Sequence, residues 1–127
     1  MKSLLGNTRR PDISFYKSGR IDITARVAKL LDLHTGDVID IALDDDEYLL
    51  YVKHKRQNII GRHEAQCQTT NPACPQGNNL RAYSKRLASV VLHACHADSM
   101  ARLPVGDTYH CDELGTTVAT IIMRRNQ

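Results

Sequence analysis

Basic side chains gather where the sequence reads as the starts of two helices. Arg26 and Lys29 follow a capping Thr24, and Lys85 and Arg86 follow Ser84. A helix N-terminus favours negative charge, so each cation there opposes the dipole by about 0.3 kcal/mol or more. An anionic partner would account for two such placements. Arg20, on the strand entering the first helix, and Arg81, near the matching place in the second half, extend the same surface. The competing reading is a solvated helix face, which needs no ligand.

Other constellations are weaker. Cys67, Cys74, Cys95 and Cys111 have His63, His93, His96 and His110 nearby. Tetrahedral zinc takes four N or S donors, usually in close pairs, and no Cys-x2-Cys or His-x3-His pair occurs. Cys95 sits beside an apolar helix face and reads as a small hydrophobe. No metal and no cofactor is expected. Asp44, Asp45, Asp46 and Glu47 lack the Gly and later Glu of a calcium loop and read as a turn between strands. Ser84, Ser89 and Ser99 lie near His93 and His96, but no GxSxG, P-loop, GxGxxG or HExxH spacing is present. The expectation is binding without catalysis; an enzyme would need a pocket lined by His93, His96 and Cys111.

The elements that must hold these residues are readable from Ser14 to Lys53. Lys17-Ser18-Gly19 predicts a hairpin turn in which Gly19 supplies positive φ. Ile21 and Ile23 alternate with Arg20, Asp22 and Thr24, the period of a half-buried strand. Val27, Leu30 and Leu31 predict one apolar helix face with Arg26 and Lys29 opposite. Gly36 is expected to stop the helix, and Asp37 to tie down the turn into a strand through Val38, Ile39, Ile41 and Leu43. Tyr48 to Val52 is the return strand.

This order resembles the AbrB/MazE-like family of swapped-hairpin barrels found among bacterial and archaeal transcription regulators and antitoxins. The resemblance rests on Gly19-Arg20-Ile21-Asp22-Ile23, Leu30-Leu31-Asp32-Leu33, Gly36-Asp37-Val38-Ile39 and the acidic hairpin before Tyr48. Thr24 stands where the family usually has Pro. The resemblance implies a barrel whose Arg-rich strand–helix corners face duplex DNA, with Arg9, Arg10 and Lys17 reaching neighbouring phosphates. The expected nucleic-acid set is Arg9, Arg10, Lys17, Arg20, Arg26, Lys29, Arg81, Lys85 and Arg86. Most protein–DNA bonds go to phosphate, so such a surface gives affinity rather than sequence choice. The alternative is a protein-interaction module, antitoxin-like or scaffold, that uses the barrel without DNA.

Residues 78–125 can be laid over 19–53, an internal repeat. Leu80-Arg81-Ala82-Tyr83 stands for Ile21-Asp22-Ile23-Thr24, and Leu87, Val90, Val91 and Ala94 predict the apolar face of a second helix about two turns longer. Leu103-Pro104-Val105-Gly106-Asp107 echoes Leu33 to Asp37 as a second Gly-Asp turn. Thr108 to Cys111 and Thr117 to Met123 are then strands around Asp112 to Gly115. The expected fold is α+β and mostly β: a swapped-hairpin or double-psi-like β-barrel built from two β-β-α-β-β halves in one chain. Residues 1–10 are expected as a flexible arm and 11–127 as one domain, with halves 11–56 and 57–127 and an exposed loop at 68–79. One such unit leaves strand edges open, so either two halves close internally as a monomeric pseudo-dimer or two chains pair.

The totals agree with a small soluble domain. The 127 residues are 42% hydrophobic and 24% charged, with net charge +3, one Phe, five Tyr and no Trp. Few aromatics argue against a stacking platform for single strands. Charge is polarised: residues 1–30 hold seven bases and two acids, whereas 31–50 hold seven acids and no base. No apolar run is long enough for a membrane helix and no signal peptide is read, so the expected location is cytoplasmic.

Overall fold

The computed structural model describes residues 11–70 and 79–123. Nine strands and two helices follow in the order β1 (Ile13–Tyr16), β2 (Arg20–Ile23), α1 (Ala25–Leu30), β3 (Val38–Asp44), β4 (Glu47–His54), β5 (Gln68–Thr69), β6 (Leu80–Tyr83), α2 (Lys85–Ala94), β7 (Met100–Leu103), β8 (Val105–Cys111) and β9 (Thr116–Ile121). The protein is α+β and mostly β. The strands form two antiparallel sheets, β5-β6-β2-β1-β7 and β3-β4-β9-β8. The expected closed barrel is therefore corrected to two separate sheets. The nearest approach to closure is at residues 65–67. There the Ala65 N–H donates to Tyr83 O of β6 (2.9 Å), while Ile39 N–H of β3 donates to Ala65 O (3.1 Å).

Alternation decides what is inside. Ile13, Phe15, Ile21, Ile23, Leu80 and Ala82 are buried from the first sheet, and Ile39, Leu50, Ala119 and Ile121 from the second. Val27 and Ala28 of α1 and Ala88, Val91 and Leu92 of α2 complete this core. At about 25 cal/mol per Å² of apolar surface removed from water, this common core is the main stabilising term. Two predicted helix faces shift accordingly. Leu30 is 40% exposed and Val90 54% exposed, and Ala28, Ala88 and Leu92 take the inward places.

Both helices end alike. Asp32 (φ 52°) and His96 (φ 54°) adopt left-handed backbone, and Leu33 N–H bonds to Ala28 O as Ala97 N–H bonds to Leu92 O, the Schellman pattern. So Asp32, rather than Gly36, ends the first helix; Gly36 (φ 95°) serves the turn into β3. Six residues in α1 against ten in α2 make the second helix longer by about one turn, not two. The second Gly-Asp is not a turn. Gly106 and Asp107 lie inside β8, where the register with β9 shifts between Val105 and Thr108. Strand β7, pairing along β1, is an additional strand with no counterpart in the first half.

The halves meet through their helix starts. The Thr24 side chain, expected to cap α1, makes no capping bond. Instead Oδ1 of Asn79, the residue just before β6, accepts from Ala25 N–H (2.8 Å). Reciprocally, Ser84 N–H at the start of α2 donates to Gly19 O in the β1–β2 turn (2.9 Å). Each helix is thus tied at its N-terminus to a hairpin from the other half.

Candidate nucleic-acid interface

Side chains pointing away from the core on β6, β2, β1 and β7 form the most cationic face that the strands build. Alternation places Arg81 and Tyr83, Arg20 and Asp22, Ser14 and Tyr16, and Met100 and Arg102 there. Register sets Arg81, Asp22, Ser14 and Arg102 in one row across four strands. Three arginines face one carboxylate. Arg81 Nε donates to Asp22 Oδ1 at 2.7 Å, and Arg20 Nε lies 3.3 Å from Asp22 Oδ2. The Arg20 guanidinium also stacks 4.0 Å above the Tyr16 ring, a cation–π contact. Hydrogen bonding from Arg20 pulls the Tyr16 hydroxyl below its usual pKa, against the opposing effect of burial, and Arg102 adds to the lowering.

Lys17 and Lys85 flank one end of this face. A Cβ at Gly19 would lie 2.9 Å from Lys85 Cγ, so the β1–β2 turn rests directly against the first residue of α2. Both lysines are exposed, and neither has an acidic partner within 4 Å among the described residues.

The cations at the helix starts have a different environment from the one expected. Arg26 Nη1 donates to buried Asp12 at 3.0 Å. Arg86 forms a forked pair with Glu64, with Nη2 at 2.9 Å and Nε at 3.1 Å. The same Glu64 accepts from Ser84 Oγ, which itself accepts from Leu87 N–H. Arg86 and Ser84 hold the Glu64 carboxyl below its usual range. The protein's own carboxylates therefore provide the negative charge that the dipole argument sought. Lys29 falls in the last turn of the six-residue α1, where a cation suits the dipole.

The two helix starts do not lie side by side. Because β2 and β6 are antiparallel, α1 begins beyond the Ile23–Leu80 end of their ladder and α2 beyond the Arg20–Tyr83 end. Five residue steps of about 3.4 Å put roughly 17 Å between them along the strands. Arg20, Asp22 and Arg81 occupy that interval. Arg9 and Arg10 lie outside the described residues. Arg102, Tyr16 and Tyr83 were missed by sequence reading; the period-2 pattern of Ala101 and Leu103 against Met100 and Arg102 is the signal that marks the outward arginine.

Elsewhere, Cys67 and Cys95 are buried and Cys111 is half-buried. Burial, with nearby Asp37 adding, pushes the Cys67 thiol up to about 12. Among the described residues no group of three or more His, Cys, Asp or Glu side chains is placed to hold a metal, and Cys74 lies outside them. A cavity of about 530 Å³ beside α1 is lined by Arg26, Lys29, His34 and Thr69, not by His93, His96 or Cys111. No described helix is long and apolar enough to cross a membrane. No family model, curated protein or solved structure matches the chain significantly.

Proposed function

We propose that this protein is a small DNA-binding, regulator-like protein whose contact surface is the outward face of β6, β2, β1 and β7. The observation that carries the reading is the grouping of Arg81, Arg20 and Arg102 on one antiparallel face, with Lys17 and Lys85 at its end. Guanidinium groups suit both phosphate oxygens and guanine edges. Asp22 and Tyr16 hold two of the arginines in place, so less side-chain freedom is lost on contact. The family resemblance over Ser14 to Lys53 supports the same reading. Central pairs β2–β6 and β4–β9 each join the first part of the chain to the second, as expected of two hairpin-exchanging β-β-α-β-β halves in one chain.

The test is binding to a labelled DNA duplex as salt is varied. The logarithm of the affinity should fall linearly with log salt, and Arg102→Ala or Lys85→Ala should each lower the steepness of that slope by about 0.9 if one phosphate contact is lost. Absence of salt-sensitive binding at low ionic strength overturns the proposal and leaves the protein-interaction reading in its place.

A further inference from the structure

Four strand edges remain among the described residues, and three of them are guarded. Strand β5 is two residues long, and β7 is four long, bears Arg102 and ends at Pro104. On β3, residues 65–67 cover the first part of the edge, and Ile41 N–H is already taken by the carboxylate of Asp40 at 2.8 Å. Short length, Pro, cations and capped N–H groups are the devices that keep edges from pairing. Strand β8 has one of them only at its start, where Val105 N–H donates to Asp12 Oδ2 at 2.8 Å; from Asp107 onward it has none. It runs seven residues, contains no Lys, Arg or Pro, and exposes Asp107, Thr108, Tyr109 and His110. No turn or loop among the described residues bonds to the backbone of those four on the open side.

We propose that β8 is the interface between two copies of this chain, pairing antiparallel with its own counterpart about a two-fold axis at Tyr109. The two four-stranded sheets then become one continuous sheet. Charge selects this occupant. Around Tyr109 the pairing sets Asp107 opposite Cys111 of the second copy and Thr108 opposite His110 of the second copy, with tyrosine against tyrosine at the centre. No like charges face each other, and an aromatic cross-strand pair is favourable. The same operation on β3, centred at Ala42, would set Asp40 against Asp44 of the second copy beside two acidic turns, an arrangement that repels. The inference does not depend on the DNA-binding reading, since β8 lies in the other sheet.

Sedimentation velocity of the full chain over a range of concentrations tests it. The expected result is a monomer–dimer equilibrium that Thr108→Lys combined with His110→Lys weakens about tenfold or more, because each lysine then faces another across the axis. Thermal unfolding of the double variant reports whether the fold is kept. As a second arm, Asp107→Cys sets a thiol opposite Cys111 of the second copy at a Cα separation of about 5 Å, within disulfide range. Oxidation should give a covalent dimer whose linkage, mapped by mass spectrometry, joins positions 107 and 111. A monomer at every concentration overturns the proposal. So does a dimer that the two lysines leave unchanged and that yields no 107–111 linkage.

Discussion

Asp37 shows how one residue can fix a turn that the rest of the fold needs. Its carboxylate is fully buried and accepts from Lys55 Nζ at 2.7 Å, His34 N–H at 2.8 Å and Arg56 N–H at 2.8 Å. Burial pushes its pKa up, but these donors outweigh burial and hold it below the usual carboxylate value. A depressed folded pKa means that the unfolded chain takes up the proton more readily. The stabilisation is therefore complete above the unfolded value of about 4 and is lost as pH falls through the folded value. Asp37→Ala should cost about 3 kcal/mol at pH 7 by urea unfolding, and should flatten the acid side of the stability–pH curve. An unchanged acid limb would show that other carboxylates govern it. Cys67 gives a second expectation. With its thiol pushed up to about 12, it should resist thiol reagents at neutral pH until the protein unfolds, while half-buried Cys111 reacts in the native state.

At the level of elements, the reciprocal ties between helix starts and hairpins are the joints of the molecule. Gly19 has φ of 98°, and a Cβ there would lie 3.0 Å from Lys85 N and 2.9 Å from Lys85 Cγ. Gly19→Ala should destabilise by about 1–3 kcal/mol, from left-handed strain together with displacement of α2. Asn79→Ala removes the Ala25 N–H acceptor and should cost about 1 kcal/mol, whereas Thr24→Ala should cost little, because the Thr24 hydroxyl caps nothing. Equal losses for the two variants would contradict the crossed arrangement. These joints also mark what the sequence could not disclose. The Lys17–Gly19 hairpin, both strands after Gly36, the Asp112–Gly115 turn and the Ser84 cap were legible, because each follows from local φ demands or period-2 alternation. A cap delivered from Asn79, 54 positions away, has no local signature. Neither has Glu64 answering Arg86, and this is why the helix-start cations read as seeking an outside anion. Gly106-Asp107 misled for the opposite reason: the pair has turn chemistry, yet in β8 it sits at a register shift within a strand.

Across the whole molecule, the polarity seen in the sequence becomes a division between sheets. The outward side of the first sheet carries Arg20, Arg81 and Arg102, while the β3–β4 hairpin of the second carries exposed Asp44, Asp45, Asp46 and Glu47. On the proposed reading, duplex DNA would be drawn to the first side and repelled from the second, which would orient the encounter even at a small net charge. The measurement that bears most directly on this account is a backbone NMR titration of the protein with duplex DNA at low salt. The expected shifts fall on Arg20–Asp22, Arg81–Tyr83, Met100–Arg102, the Lys17–Gly19 turn and the first turn of α2, with β3 and its acidic hairpin unmoved. Shifts centred on the second sheet, or none at all, would contradict it.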